Sequence, residues 1–335
     1  MQAAIYSMAG GSLSADERAF FRDVDPAGYI LFKRNCEDRA QLRALTDSLR
    51  ELHGHGDVPI LIDQEGGRVT RMKPPEWPAL PAGEAFDRLY QLAPSSAIEA
   101  ARMNARAIAL TLRECGINVN CLPMLDVRQP GATDIVGDRA YGAEPMQVSA
   151  LGRAVLDGMA SAGVLGVVKH MPGHGRALVD SHLELPVVDA SDKELAVDLE
   201  PFERLAAAPM GMVAHIIFTA WDRERPSSQS PIIIEQVIRQ RIGFDGFLMT
   251  DDIGMQALSG SPGERSAAAI AAGCDATLHC SGKFDEMVDV ANHVGPLTPE
   301  AEARLARAMA AVMLDGEGPS LAAAAAKRDE LLALA

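Results

Sequence analysis

The chain is poor in basic residues and in cysteine. Its 335 residues carry 31 Lys and Arg against 46 Asp and Glu, a formal net charge of −15, and five Cys. An acid excess of that size repels polyphosphates and anionic headgroups, which disfavours nucleic acid or an anionic membrane surface as a partner. Cys36, Cys115, Cys121, Cys274 and Cys280 are odd in number and never spaced C-x-x-C. That fits reduced thiols in a cytosol better than a disulfide framework or a zinc knuckle. No apolar run approaches the ~20 residues that cross a bilayer. The opening MQAAIYSMAGG has no Lys or Arg ahead of its apolar residues and does not read as a secretory signal. A cytoplasmic protein without a membrane or nucleic-acid partner is expected. Neither G-x-G-x-x-G nor a Walker A sequence is present to support nucleotide binding.

What is present is ample apolar material, 48% of residues, laid out in short runs bounded by glycine or polar residues. The runs are 3–9, 28–32, 59–63, 119–127, 163–170, 210–218, 246–251 and 274–280. Both faces of each are largely apolar, as in strands buried in a parallel sheet. Helical segments fall between most of them. One is expected from Ser96, with Glu99 completing a capping box, to Cys115 before Gly116. Another runs from about Met146 to Ala162, and a third opens at Thr298-Pro299. Eightfold strand–helix alternation predicts an α/β protein, a single-domain (β/α)8 TIM barrel over residues 1–315. The alanine-rich end predicts a C-terminal helical extension, 316–335, packed on the barrel.

Chemistry in such barrels sits at the C-terminal strand ends, and polar residues collect there. Asp63 closes the third run and Asp126 the fourth, Lys169 and His170 close the fifth, His215 lies late in the sixth, and Asp251 closes the seventh. The stretch after the fifth, KHMPGHGRALVDSH (169–182), is dense in titratable groups and broken by Pro172, Gly173 and Gly175, so it reads as a strand end and a long loop. His170, His174, Asp180 and His182 could ligate zinc or iron. Against that, barrel metal sites draw ligands from several strands, there is no H-E-x-x-H, and Lys169 adds an opposing charge. Alternatively, Asp180 can hold one nitrogen of His182 and leave the other for proton transfer. A plain solvated loop is the third reading. In GFLMTDDIGM (246–255) the pleat should let only one of Asp251 and Asp252 address the mouth. The other would bond backbone. Lys169 could be a structural ion-pair partner or a ligand donor, Glu65 would tie down the glycine turn behind Asp63, and His174 would bond within its loop.

Four segments, LIDQEGGRVTR (61–71), VGDRAYG (136–142), KHMPGHGRALVDSH (169–182) and MTDDIGM (249–255), resemble the glycoside hydrolase family 3 β-N-acetylglucosaminidases of the single-domain bacterial type. The likeness runs to about residue 315. It implies Asp251 as the nucleophile and His182, oriented by Asp180, as the general acid/base. It also implies Asp63, Arg71, Arg139, Lys169 and His170 as the set gripping the sugar hydroxyls. Met171 stands where phenylalanine is usual, Thr250 where serine is usual, and Ile253-Gly254 where Leu-Ser is common; none removes a reacting group.

The resemblance implies a retaining exo-β-N-acetylglucosaminidase that needs no cofactor or metal. It acts on a small carbohydrate of muropeptide type, GlcNAc linked to anhydro-muramic acid, in cell-wall recycling. Larger family members take their acid from a second domain, whereas here a loop is expected to bring the proton. A metal-dependent hydrolase of amidohydrolase type and a β-glycoside phosphorylase are the competing expectations. The sequence does not specify an oligomeric state.

Overall fold

A strand that is apolar on both faces needs cover on both, and the eight apolar runs meet that need by pairing in parallel inside a ring of helices. The computed structural model describes residues 1–54, 57–131, 134–179, 184–310 and 318–335. The barrel strands are β1 (Gln2–Tyr6), β2 (Pro26–Leu31), β3 (Ile60–Ile62), β4 (Val119–Asn120), β5 (Leu165–Met171), β6 (Met210–Val213), β7 (Phe247–Asp252) and β8 (Ala276–His279). Among the described residues they close in sequential order, with β8 returning to β1. Tyr29 of β2 sits opposite Ile60 of β3, Phe247 of β7 opposite Met210 of β6, and Ile5 of β1 opposite Leu278 of β8. The expected (β/α)8 barrel is the architecture.

Two strands are shorter than expected, for local reasons. Regular pairing in β4 stops at Asn120 because Pro123 has no N–H to give the ladder. Beyond Asn120, Val167 N donates to the Leu122 carbonyl at 3.0 Å, and a bridge pairs Met124 with Lys169. β6 ends at Val213, and Ile217–Phe218 pairs instead with Val187–Val188 in a separate two-stranded ribbon. The capping box at Ser96 and Glu99 does not form. That helix begins at Pro94, whose ring pre-sets the first helical φ, and Glu99 pairs with Arg102 at 2.8 Å. Its other end is as read: Gly116, at φ 76°, follows the cap, and a Cβ there would meet the Thr46 and Arg50 side chains.

The five cysteines are unpaired. Helix Leu321–Leu332 lies against helix Pro94–Glu114, with Ala324 buried beside Met103 and Ala107. Arg328 Nη1 donates to Asn104 Oδ1 at 3.1 Å, and Arg106 Nε donates to the Pro319 carbonyl at 2.8 Å. No helix among the described residues is long and apolar enough to cross a membrane.

Candidate active site

Beyond Ile62, the pleat of Asp63-Gln64-Glu65 sends the first and third side chains one way and the second the other. Gln64 turns back. Its Oε1 accepts from the Arg71 and Met72 amides, each at 3.0 Å, and its Nε2 donates to the Met72 carbonyl at 3.0 Å. Gln64, not Glu65, therefore ties down the turn, where Gly66 and Gly67 take φ of 116° and 55°. Asp63 and Glu65 are left facing the barrel mouth.

There they meet Lys169, whose peptide bond to His170 is cis. Lys169 Nζ lies 2.9 Å from Asp63 Oδ1 and 2.7 Å from Glu65 Oε1. Arg71 Nη2 reaches Asp63 Oδ2 at 3.0 Å, and the Arg139 fork takes both Glu65 oxygens at 2.8 Å. Arg71 also lies over the Phe32 ring, 4.9 Å from its centroid. Burial alone would push the two carboxyls up. Lys169 and Arg71 outweigh it for Asp63, holding it below the usual carboxylate range, and Arg139 and Lys169 bring Glu65 to about 2. For Lys169, burial works downward, but Asp63 and Glu65 hold its ammonium above the ordinary lysine value. All three therefore stay charged near neutrality.

A cavity of about 230 Å³ opens on this cluster, lined also by His170, His174, Met212, Asp251, Asp252 and Cys280. Asp126 is absent from that lining because it stands behind His170. Its Oδ2 is 2.7 Å from His170 Nδ1, and its Oδ1 accepts from the amides of His170 at 3.2 Å and His174 at 2.7 Å. Burial opposes its ionisation, but His170 and the amides bring its pKa to about 2. With Nδ1 engaged, His170 has Nε2 left for other contacts. Burial lowers the pKa of His174 to about 4. His174 lines the cavity, and within the loop its backbone carbonyl accepts from Ala177 N at 3.1 Å.

Asp251 and Asp252 both line the cavity, against the strict alternation expected. The β7–β8 register shifts between Met249 and Asp252, and such an irregularity breaks the two-residue period. Asp252 nonetheless bonds backbone: its Oδ1 accepts from Gly254 N at 2.9 Å and Cys280 N at 3.2 Å. His215 lies outside the cavity lining, 1% exposed, with Nε2 3.1 Å from the Asp252 carbonyl. Burial keeps its pKa below the ordinary histidine value.

Five of the expected residues, Asp63, Arg71, Arg139, Lys169 and His170, thus share one cavity with Asp251. Asp180 and His182 lie outside the described residues. Sequence reasoning missed Glu65 as an ion-pair centre and Phe32 as a wall. The first was signalled by its two-residue spacing from Asp63, the second by its place just past β2. Among the described residues no group of three or more His, Cys, Asp and Glu is arranged to hold a metal ion.

A closed parallel barrel whose strand ends gather charged and imidazole groups around one small cavity has the form of an enzyme of the (β/α)8 class. Residues 4–313 match the glycosyl hydrolase family 3 N-terminal domain. The chain is 35% identical over 309 residues to a beta-hexosaminidase of Bordetella avium strain 197N, covering 91% of this chain and 87% of that one. It is 38% identical over 281 residues to a beta-hexosaminidase of Thiobacillus denitrificans, covering 82% and 77%. The fold superposes with a TM-score of 0.88 and 30% identity on NagZ from Neisseria gonorrhoeae in complex with N-trifluoroacetyl-D-glucosamine, covering 99% of this chain and 98% of that one. The chain belongs to glycosyl hydrolase family 3 and is a glycoside hydrolase of its beta-hexosaminidase type.

Proposed function

We propose that the protein is a retaining exo-β-N-acetylglucosaminidase that removes a terminal GlcNAc from cell-wall fragments of the GlcNAc–anhydro-muramic acid type in the cytoplasm. The observation that carries this reading is the cavity that Asp251 shares with the Asp63–Lys169–Glu65 cluster. At about 230 Å³ it falls below the ~300–1,000 Å³ usual for small-molecule sites, which suits one ring rather than a chain. Lys169, Arg71 and Arg139 pair with Asp63 and Glu65, so the cluster offers a neutral polyol fixed donors and acceptors. Phe32, Met212 and Leu278 offer apolar surface to the ring carbons.

In the proposed double displacement, a carboxylate oxygen of Asp251 attacks the anomeric carbon. The bond to the leaving oxygen breaks, and His182, held by Asp180, gives that oxygen its proton. His182 then takes a proton from water, whose oxygen opens the glycosyl ester, so the configuration is retained. Asp63, Arg71, Arg139, Lys169 and His170 hold the sugar hydroxyls, and neither metal nor cofactor takes part.

The test is turnover of chromogenic β-glycosides by the parent and D251N, with the first-formed anomer followed by NMR. The expected result is a preference for the β-GlcNAc glycoside, release of the β-anomer and a loss of at least a thousandfold in D251N. D251N turning over within tenfold of the parent, or an inverted product, overturns the reading. Added phosphate yielding a sugar 1-phosphate would make the enzyme a phosphorylase.

A further inference from the structure

We infer that His215 and Ser228 are positioning residues for the carboxylate of Asp251, acting through the backbone of Asp252; the inference rests on the nucleophile role proposed above. On the β6 side, the last regular pair beside the site is Thr250 with Val213. On the β8 side the register slips between Met249 and Asp252. The ladder therefore skips Asp251 and holds Asp252 from the β8 side alone, where it pairs with Leu278 and Ile253 N donates to the Leu278 carbonyl at 2.9 Å.

Side chains supply the rest. Toward β8, Thr250 Oγ1 accepts from Leu278 N at 3.1 Å, and Asp252 Oδ1 accepts from Cys280 N at 3.2 Å. Toward β6, which has already left the sheet, His215 bonds the Asp252 carbonyl at 3.1 Å. That carbonyl can only accept, so Nε2 carries the proton. Nδ1, 2.7 Å from Ser228 Oγ, then accepts from the hydroxyl. Both residues are buried, at 1% and 0% exposure, and Ser228 stands in the short turn Ser227–Gln229. Both ring nitrogens of His215 are thereby used, so its part is geometric. From the same residue the Asp252 N–H donates to Asp251 Oδ1 at 2.8 Å. The carbonyl and the N–H belong to successive peptide groups joined at the Asp252 Cα, so displacing that residue moves the attacking carboxylate, and an error near 1 Å in such a group costs roughly 100-fold in rate.

The experiment is the first-turnover release of dinitrophenolate from a dinitrophenyl N-acetyl-β-glucosaminide, followed by stopped flow. This leaving group departs without a proton, so the rate reads attack by Asp251 and bypasses the acid. The expected result for H215L is a first-turnover rate roughly 10–100-fold lower, with KM within threefold of the parent. H215Q, whose amide N–H can reach the same carbonyl, recovers most of that loss, and S228A lies between the parent and H215L. A folded H215L at the parent rate, a loss confined to KM, or H215Q no better than H215L would each overturn the inference. Should H215L not fold, S228A decides: an unchanged rate overturns the inference, and a threefold or greater fall supports it. The D251N control separates the two assignments. A D251N enzyme at the parent rate removes the nucleophile role itself, whereas an inactive D251N beside a parent-like H215L removes only the positioning role.

Discussion

The ammonium of Lys169 stands 2.9 Å from a carboxylate oxygen of Asp63, a residue 106 positions away in the chain. Neither group is in open solvent, their side chains being 2% and 14% exposed. Replacing Lys169 by Met leaves Asp63 and Glu65 under-compensated in a buried place, and removing one partner of such a pair costs about 3–5 kcal/mol. Urea denaturation of K169M should show a loss of that order. The double variant D63N/K169M should recover part of it, because the two sites are coupled.

The same cluster sets an acid limit on stability. Glu65 is brought to about 2 in the folded protein, against about 4.3 in an unfolded chain. A depressed carboxyl stabilises the fold fully above its unfolded value and loses that contribution as pH falls through its folded one. The unfolding free energy should therefore decline between about pH 4.5 and 2. E65Q should be less stable at pH 7 and show a shallower decline over that window. An E65Q curve parallel to the parent's would contradict the assignment.

Asp126 holds three donors from the strand end and loop that carry His170 and His174. In D126N the amide keeps the shape but cannot accept at both positions, and the charge that favours a proton on His170 Nδ1 is gone. Hydrogen bonds of this charged kind are worth about 1.5–3 kcal/mol. The expected outcome is a fall in kcat/KM of roughly 10–100-fold on a chromogenic β-GlcNAc glycoside.

Gly175 packs against the Val127 carbonyl so closely that a Cβ would collide with it. G175A must displace the loop from the chain beside Asp126. A stability loss of about 1–3 kcal/mol is expected, the usual cost of overpacking, together with reduced turnover. Thermal unfolding and steady-state rates check both.

Excess EDTA should leave turnover unchanged, since the proposed chemistry runs on carboxylate and imidazole alone. Activity lost on chelation and restored by zinc would transfer the protein to the metal-dependent reading of the 169–182 stretch.

The barrel was legible because its strands are local patterns: a short apolar run between turn formers carries its own burial demand. Where the reading slipped, a neighbouring residue or a remote partner intervened. The helix took Pro94 as its first residue, which left Ser96 inside it, and β6 ended early because Ile217 and Phe218 found another partner in Val187 and Val188. The site divides in the same way. That Asp63, Lys169, His170 and Asp251 share a mouth follows from their positions at strand ends. That His215 and Asp126 stand one layer behind it does not.

From the order of residues alone came the eight strands, the end of the barrel where polar groups collect and the family likeness of four segments, since each is written in adjacent residues. The closed sheet decided that Glu65 would join Lys169 to Arg139, 74 positions further on from it. It decided too that Asp252 would bond backbone while lining the cavity. Such pairings depend on barrel closure and on one slipped register, and distances of that kind arise only when remote strands are brought side by side.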